Sequence, residues 1–247
     1  MNQRHLVNSL VVSTLIAVLL TAGCDLGQAP KKPEIGPTGS GETTKTNPPF
    51  WQRFEKPPQI FYDLEPTGGI LFEKIKQKNW SAAALDAANL RHSWENTKLA
   101  IGAKKGVGEA DEALEKLNQA ITAQNSLTAY EALNEFFSAL SDAAKSYKFS
   151  PLADLLQIGN AARSVNYYVA DKDWSKAAAK AQELEQTWEQ NKPSLEMMGI
   201  LGKVTQTHST IKGLRDAVGG ENQGQAESLL KNLNESLANI RDFYKNK

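Results

Sequence analysis

The sequence has few of the side chains that most enzymes and metal sites depend on. Its 247 residues include one cysteine and three histidines. A single cysteine cannot form an internal disulfide or a paired-cysteine metal site. Neither sign of charge dominates, because 28 Lys and Arg residues balance 28 Asp and Glu residues. Neutralising phosphates requires a basic excess, so the charge balance argues against nucleic acid as a partner.

The N-terminus carries a basic residue followed by an apolar run. Arg4 precedes residues 6–20, which are mostly apolar, and small residues follow this stretch. A membrane-spanning helix needs about 20 apolar residues, so the run is short for that role. A basic start, a short apolar region and small residues before a cleavage point are typical of a secretory signal peptide. We therefore predict that residues 1–23 are a signal peptide.

The single cysteine directly follows the small residues. The segment Leu20-Thr21-Ala22-Gly23-Cys24 resembles the lipobox of bacterial lipoproteins, with Thr21 where that family usually has Leu. The resemblance implies lipidation of Cys24, attachment to the cytoplasmic membrane, and a body on its extracytoplasmic face. The alternatives are an ordinary signal peptide followed by an unmodified cysteine, or an uncleaved anchor. Asp25 resembles an inner-membrane retention signal, which has meaning only in a double-membrane organism.

Two segments separate the cysteine from the helical body. Residues 24–49 are rich in Pro and Gly and contain no aromatic residue, so they have too little apolar surface to offset the entropy of ordering. We predict that they form a disordered tether. Residues 50–68 contain a cluster of aromatic side chains broken by Pro57-Pro58. We predict an extended strap along the body; the alternative is a segment that docks on a membrane interface or a partner.

The body contains an internal repeat. Segments 79–98 and 173–192 match at an offset of 94 residues, including two tryptophans in each copy. The apolar residues of both copies recur in steps of three and four, which places them on one face of a helix. Asn79 and Asp173 directly precede these helices and are suited to capping them. Each copy therefore predicts an amphipathic helix within a larger repeated unit.

Further helical stripes indicate an all-α fold. Apolar residues recur at helical spacing in segments 110–121, 130–147, 152–169, 201–218 and 226–244. We predict two tandem four-helix-bundle-like units, at residues 69–148 and 149–247, with a continuous helical array as the alternative. The first helix of the first unit should be shortened by the segment Pro66-Thr67-Gly68-Gly69. Residues 155–245, through Asp173 to Lys192 and the helix of His208, and less closely residues 70–147, are similar to an uncharacterised clostridial-type family of small helical, membrane-associated proteins, which has no assigned activity.

One histidine and one glutamate form a candidate metal pair. His92 and Glu95 are three residues apart on a predicted helix, so their side chains lie on the same side. The pair resembles the HxxE of imelysin-like and periplasmic iron-uptake helical proteins, although Leu90 occupies the position of a glycine in that motif. The resemblance implies metal binding. The alternative is a surface pair beside a core tryptophan.

The repeated tryptophans are the main candidates for a ligand site. A groove between the units could be lined by Trp80, Trp94, Trp174 and Trp188, with His208 from a later helix. The alternative is that these rings pack in the core, where burial of each would contribute about 2–3 kcal/mol. His208 itself is either a half-buried residue bonded to a neighbour or a group sensitive to pH or ligand.

These observations lead to one prediction of function and one alternative. We predict a lipid-anchored, extracytoplasmic helical binding or scaffold protein with no evident catalytic site and no cofactor. Its expected partners are the membrane, reached through the lipid, and a protein of the cell envelope. The alternative is a metal-binding or metal-delivery lipoprotein that uses His92 and Glu95.

Overall fold

The computed structural model of the protein describes residues 50–197 and 200–246. The predicted signal peptide, Cys24 and the predicted tether lie outside these residues. The described part of the chain contains helices and no strand, so the predicted all-α class is confirmed. The helices are α1 (Phe50–Arg53), α2 (Gln59–Lys76), α3 (Trp80–Ile101), α4 (Val107–Thr122), α5 (Ser126–Ala144), α6 (Leu152–Ala170), α7 (Trp174–Glu196), α8 (Leu201–Gly219) and α9 (Gln223–Lys245).

The eight long helices form four helical hairpins that share one type of turn. The hairpins are α2–α3, α4–α5, α6–α7 and α8–α9, and each turn has three residues. In every turn the middle residue has a positive φ, and the third residue donates its backbone N–H to a carbonyl five residues earlier. This geometry closes the C-terminus of the first helix. The middle residues are Lys78, Gln124, Lys172 and Glu221.

The third residue of each turn also caps the following helix. Asn79, Asn125, Asp173 and Asn222 each accept a backbone N–H three residues later through a side-chain oxygen. The caps predicted at Asn79 and Asp173 are thereby confirmed. The fourth residue after each cap is a buried alanine, which lets the two helices of the hairpin approach closely; these are Ala83, Ala129, Ala177 and Ala226. The 94-residue repeat is thus built from two successive hairpins.

The hairpins associate in pairs. Helices α2–α5 form a first half in which α2 contacts α5, and helices α6–α9 form a second half in which α6 contacts α9. The prediction of two four-helix-bundle-like units is confirmed. The halves also contact each other, because α6 packs against both α5 and α2. Residues 48–247 accordingly form one compact unit.

Helix α2 differs from the sequence prediction. An extended strap and an interruption at residues 66–69 were expected, but the helix runs through Pro66 from Gln59 to Lys76. A proline inside a helix costs about 3 kcal/mol. Phe61, Tyr62 and Leu64 are fully buried in this helix, and their combined burial outweighs that cost. Pro193 likewise lies inside the last turn of α7 and does not end it.

A partly buried ion cluster joins the two halves. Glu65 of α2 accepts hydrogen bonds from Arg163 of α6, at 2.7 Å, and from Arg241 of α9. The guanidinium of Arg163 also stacks on the ring of Phe137 from α5, with 3.9 Å between its central carbon and the ring centre. Burial lowers the pKa of Arg163, and the carboxylate of Glu65 opposes that effect. Four helices therefore meet at one charged contact.

Candidate functional site

A polar groove lies where the second hairpin meets the third. It has a volume of about 670 Å³ and is formed by side chains of α5, α6 and α7. Helix α5 supplies one wall, α7 supplies the other, and α6 runs between them. Its lining includes Tyr130, Asn134, Ser138, Gln157, Asn160, Ser164, Tyr168, Lys180, Glu183, Thr187 and Gln190. Hydrogen-bonding side chains therefore dominate its surface.

Two asparagines carry the unsatisfied polar atoms of the groove. The amide nitrogen of Asn160 donates to the backbone carbonyl of Asn134 at 3.1 Å, and that of Asn134 lies 3.4 Å from the hydroxyl of Ser164. The Oδ1 atoms of both asparagines are buried and accept no hydrogen bond from the protein. A buried acceptor without a partner costs about 1–3 kcal/mol, so these oxygens favour a molecule that offers donors.

Tyr130 and Tyr168 line the aromatic end of the groove, and Tyr167 packs against both. The rings of Tyr130 and Tyr167 stack at 4.3 Å between centres, and Tyr168 packs edge-on against both. Burial raises the pKa of Tyr130, and it raises the pKa of Tyr167 to about 12. These hydroxyl groups therefore remain protonated at neutral pH and can both donate and accept hydrogen bonds.

Three glutamates line the groove, and two of them are paired with lysines. Lys180 bonds to Glu183 at 2.6 Å within α7, and Lys116 of α4 bonds to Glu135 at 2.8 Å. The third, Glu131, is exposed and adds a carboxylate to the neutral amide and hydroxyl groups of the lining. The chemistry available in the groove is thus the binding of a polar surface by hydrogen bonds.

The sequence prediction did not include this groove. Asn160 and Ser164 are four residues apart on α6, a helix that is otherwise mostly buried and apolar. Polar residues at that spacing on such a helix indicate a polar stripe and could have drawn attention to it. The partner residues come from two other helices, and no local pattern places them beside α6.

The four predicted groove tryptophans lie elsewhere. Trp94 and Trp188 are fully buried, one in each half, so their rings do not form the wall of an open groove. Trp80 and Trp174 are half-buried at the starts of α3 and α7 and pack against the core. For Trp94 and Trp188 the structure therefore shows the alternative, in which the rings pack in the core, and not the expected groove.

Each buried indole has a polar partner on the third helix of its half. The indole nitrogen of Trp94 donates to Asp111 Oδ1 at 2.6 Å, and that of Trp188 donates to His208 Nδ1 at 3.2 Å. His208 Nδ1 also lies 3.1 Å from the carboxylate of Glu189. The half-buried His208 is thus bonded to neighbours, as one of the two interpretations of this residue expected.

The candidate metal pair is held by other contacts. His92 is exposed, and its Nε2 lies 3.2 Å from the amide of Asn96. Glu95 pairs with Lys98 at 2.9 Å, and the hydrogen bonds that Lys98 donates to Glu95 and Asp111 raise the pKa of that lysine. Within the described residues, no group of three or more His, Cys, Asp or Glu side chains could hold a metal ion.

Among the helices of residues 50–197 and 200–246, none combines the length and apolar character that a membrane span requires. Comparison of the chain with protein families, with curated proteins and with solved structures gives no match.

Proposed function

We propose that the protein is a lipid-anchored, extracytoplasmic binding protein that recognises its partner through the groove between α5, α6 and α7. The observation that carries the proposal is the pair of buried, unpartnered Oδ1 atoms of Asn134 and Asn160 in this groove. Rotation of the two amide side chains toward the groove would let hydrogen-bond donors of a bound partner satisfy both oxygens. The lipobox resemblance at Cys24 supports the location of the protein.

The composition of the groove supports binding by shape and hydrogen bonds. Its tyrosines are held rigidly by stacking, and its amides offer donors and acceptors on one surface. Rigid aromatic side chains lose little entropy on binding, and polar groups fix the orientation of the ligand. A polar segment of an envelope protein with exposed backbone N–H or hydroxyl groups fits these requirements.

Site-specific photo-crosslinking in intact cells tests the proposal. A photoreactive amino acid would replace Ser138, which is exposed on the groove, or Ser209, which is exposed on α8 and outside it. We expect one discrete adduct from position 138 and none from position 209. Asn134→Ala should reduce that adduct severalfold, because it removes one of the unpartnered acceptors.

The anchor is tested in the same cells by Cys24→Ala. We expect the protein to leave the membrane fraction and to lose incorporated acyl label, with a weaker adduct because partner and protein are no longer held on one surface. Identical crosslinking from positions 138 and 209 would contradict the groove. Unchanged membrane retention without acyl label would contradict the anchor.

A further inference from the structure

The two ends of the helical body differ in charge. The turn end consists of the three-residue turns 77–79, 123–125, 171–173 and 220–222, with two lysines and three acidic residues. The opposite end consists of the connections 54–58, 102–106 and 145–151, together with Met197 and Ile200, and carries five lysines and one glutamate. We call it the lysine-rich end. These connections carry a net charge of +4, against −1 for the turns, and two of their lysines, Lys105 and Lys145, pair with Asp142 of α5.

The lysine-rich end also exposes apolar side chains. Leu99, Met197 and Leu201 are 86%, 65% and 61% exposed, and each lies at the end of a long helix on this side. Lysines beside exposed leucine and methionine are the combination that binds an interface between water and lipid. The ammonium groups reach anionic head groups, and the apolar side chains enter the layer beneath them.

Residues 53–55 lie at this same end. The backbone N–H of Glu55 donates to the carbonyl of Lys148 at 3.0 Å, and the Glu55 carboxylate accepts the N–H of Lys148 at 3.3 Å. The guanidinium of Arg53 lies over the ring of Phe149, at 5.0 Å from its centre. These contacts hold the start of the body against connection 145–151.

From this placement we propose that the lysine-rich end docks the body on an anionic lipid bilayer. The body from Pro48 supplies all the groups involved, so the docking surface does not depend on lipidation of Cys24. The proposed function adds only proximity, because a lipid on Cys24 would keep the body near the bilayer. Docking would direct the turn end away from the lipid.

Vesicle binding by a chain that begins at Pro48 tests the proposal without the anchor. This segment forms a compact unit with its own core, so it can be studied alone. We expect co-sedimentation with phosphatidylglycerol vesicles, weakening as salt is raised, and little binding to phosphatidylcholine vesicles. Equal binding to both lipids, or no binding to either, would refute the proposal.

Charge reversal at the two ends provides the matched comparison. Lys105→Glu with Lys148→Glu changes the lysine-rich end, and Lys78→Glu with Lys172→Glu makes the same charge change at the turn end. All four lysines are exposed, and unchanged helical circular dichroism would confirm folding. We expect the first pair to weaken binding by about tenfold or more and the second to leave it nearly unchanged. Equal weakening by both pairs would show a general charge effect and refute the assigned surface.

A fluorescent label reports insertion directly. The chain from Pro48 contains no cysteine, so one introduced cysteine can carry an environment-sensitive dye. A dye at Leu201→Cys should shift to shorter wavelength on anionic vesicles. The same dye at Leu85→Cys, a position of similar exposure nearer the turn end, should not shift. Tighter binding to soluble polyphosphate than to vesicles, with no shift at position 201, would assign the surface to a soluble polyanion instead.

Discussion

Two buried indole N–H groups occupy equivalent places in the two halves, but their partners differ. Trp94 donates to a carboxylate, whereas Trp188 donates to an imidazole nitrogen. Asp111 accepts a second hydrogen bond from Lys98 at 3.0 Å, which compensates its charge. His208 Nδ1 can accept from Trp188 only when that nitrogen carries no proton. The first half thus uses a carboxylate as acceptor and the second half an imidazole nitrogen, for which the Glu189 carboxylate 3.1 Å away competes.

The bond between Trp188 and His208 predicts a specific loss of stability. His208→Leu replaces the imidazole with an apolar side chain of similar size and leaves the buried indole N–H without an acceptor. We expect the free energy of unfolding to fall by about 1–3 kcal/mol. Urea denaturation followed by tryptophan fluorescence would measure the change.

Two further variants separate the hydrogen bond from packing. Adding Trp188→Phe to His208→Leu removes the unpaired donor, so the double variant should lose less than the sum of the single changes. His208→Gln should retain more stability than His208→Leu, because its side-chain oxygen can accept the indole N–H. Equal stability of the Leu and Gln variants would show that the bond contributes nothing.

Among the helices, those with a regular apolar stripe and a capping residue could be predicted from the sequence. Their spacing alone places the buried side chains, and Asn79 and Asp173 marked two helix starts correctly. Helix α2 could not be predicted, because Pro66 and Gly68 are local helix-breaking signals. Their cost is offset by contacts with distant helices, which no local pattern reveals.

The sequence also did not reveal that the repeating unit is a single helical hairpin, half as long as the 94-residue repeat. The four turns share their backbone geometry, but in sequence they share only a capping Asn or Asp and an alanine four residues later. Tryptophans occur in the first and third hairpins and not in the second and fourth, so the visible period is twice the structural one. The groove between α5, α6 and α7 depends on how hairpins pack and was therefore missed as well.

Adjacent glycines in α2 allow a matched test of helix packing. A Cβ atom at residue 68 would lie 2.3 Å from the ring of Phe137, whereas one at residue 69 would meet nothing within 4 Å. We expect Gly68→Ala to destabilise the fold by about 1–3 kcal/mol through overpacking. Gly69→Ala should stabilise it by about 0.5–1 kcal/mol, because alanine favours the helix.

Thermal or urea unfolding of the two variants would give these values. The two substitutions are identical and one residue apart, so helix propensity affects both equally. A similar change in stability for both variants would mean that the close contact with Phe137 is relaxed without cost.

The molecule as a whole is held together by contacts between its halves. Helix α6 packs against helices of both halves, and Glu65 connects α2 to α6 and α9 through two arginines. Removing one member of a buried ion cluster leaves the others uncompensated. The halves should therefore unfold together and not one after the other.

Glu65→Gln tests this coupling. It removes the charge that compensates Arg163 and Arg241, and we expect a loss of about 3–5 kcal/mol. Transitions followed by far-ultraviolet circular dichroism and by tryptophan fluorescence should shift together, because the halves share the contact. The control Glu135→Gln makes the same change in an exposed pair and should cost at most about 1 kcal/mol. Separate transitions for the two probes in the unchanged protein would contradict the coupling.

The start of α2 and the end of α9 both lie at the lysine-rich end. Lys245 near the end of α9 pairs with Asp63 near the start of α2, and the rings of Phe54 and Tyr244 lie 6.4 Å apart between centres. The first and last long helices of the body, α2 and α9, are thus neighbours, and the topology is nearly cyclic. A domain fused to either end of the body would emerge on the same side, and the turn end would remain clear of both fusions.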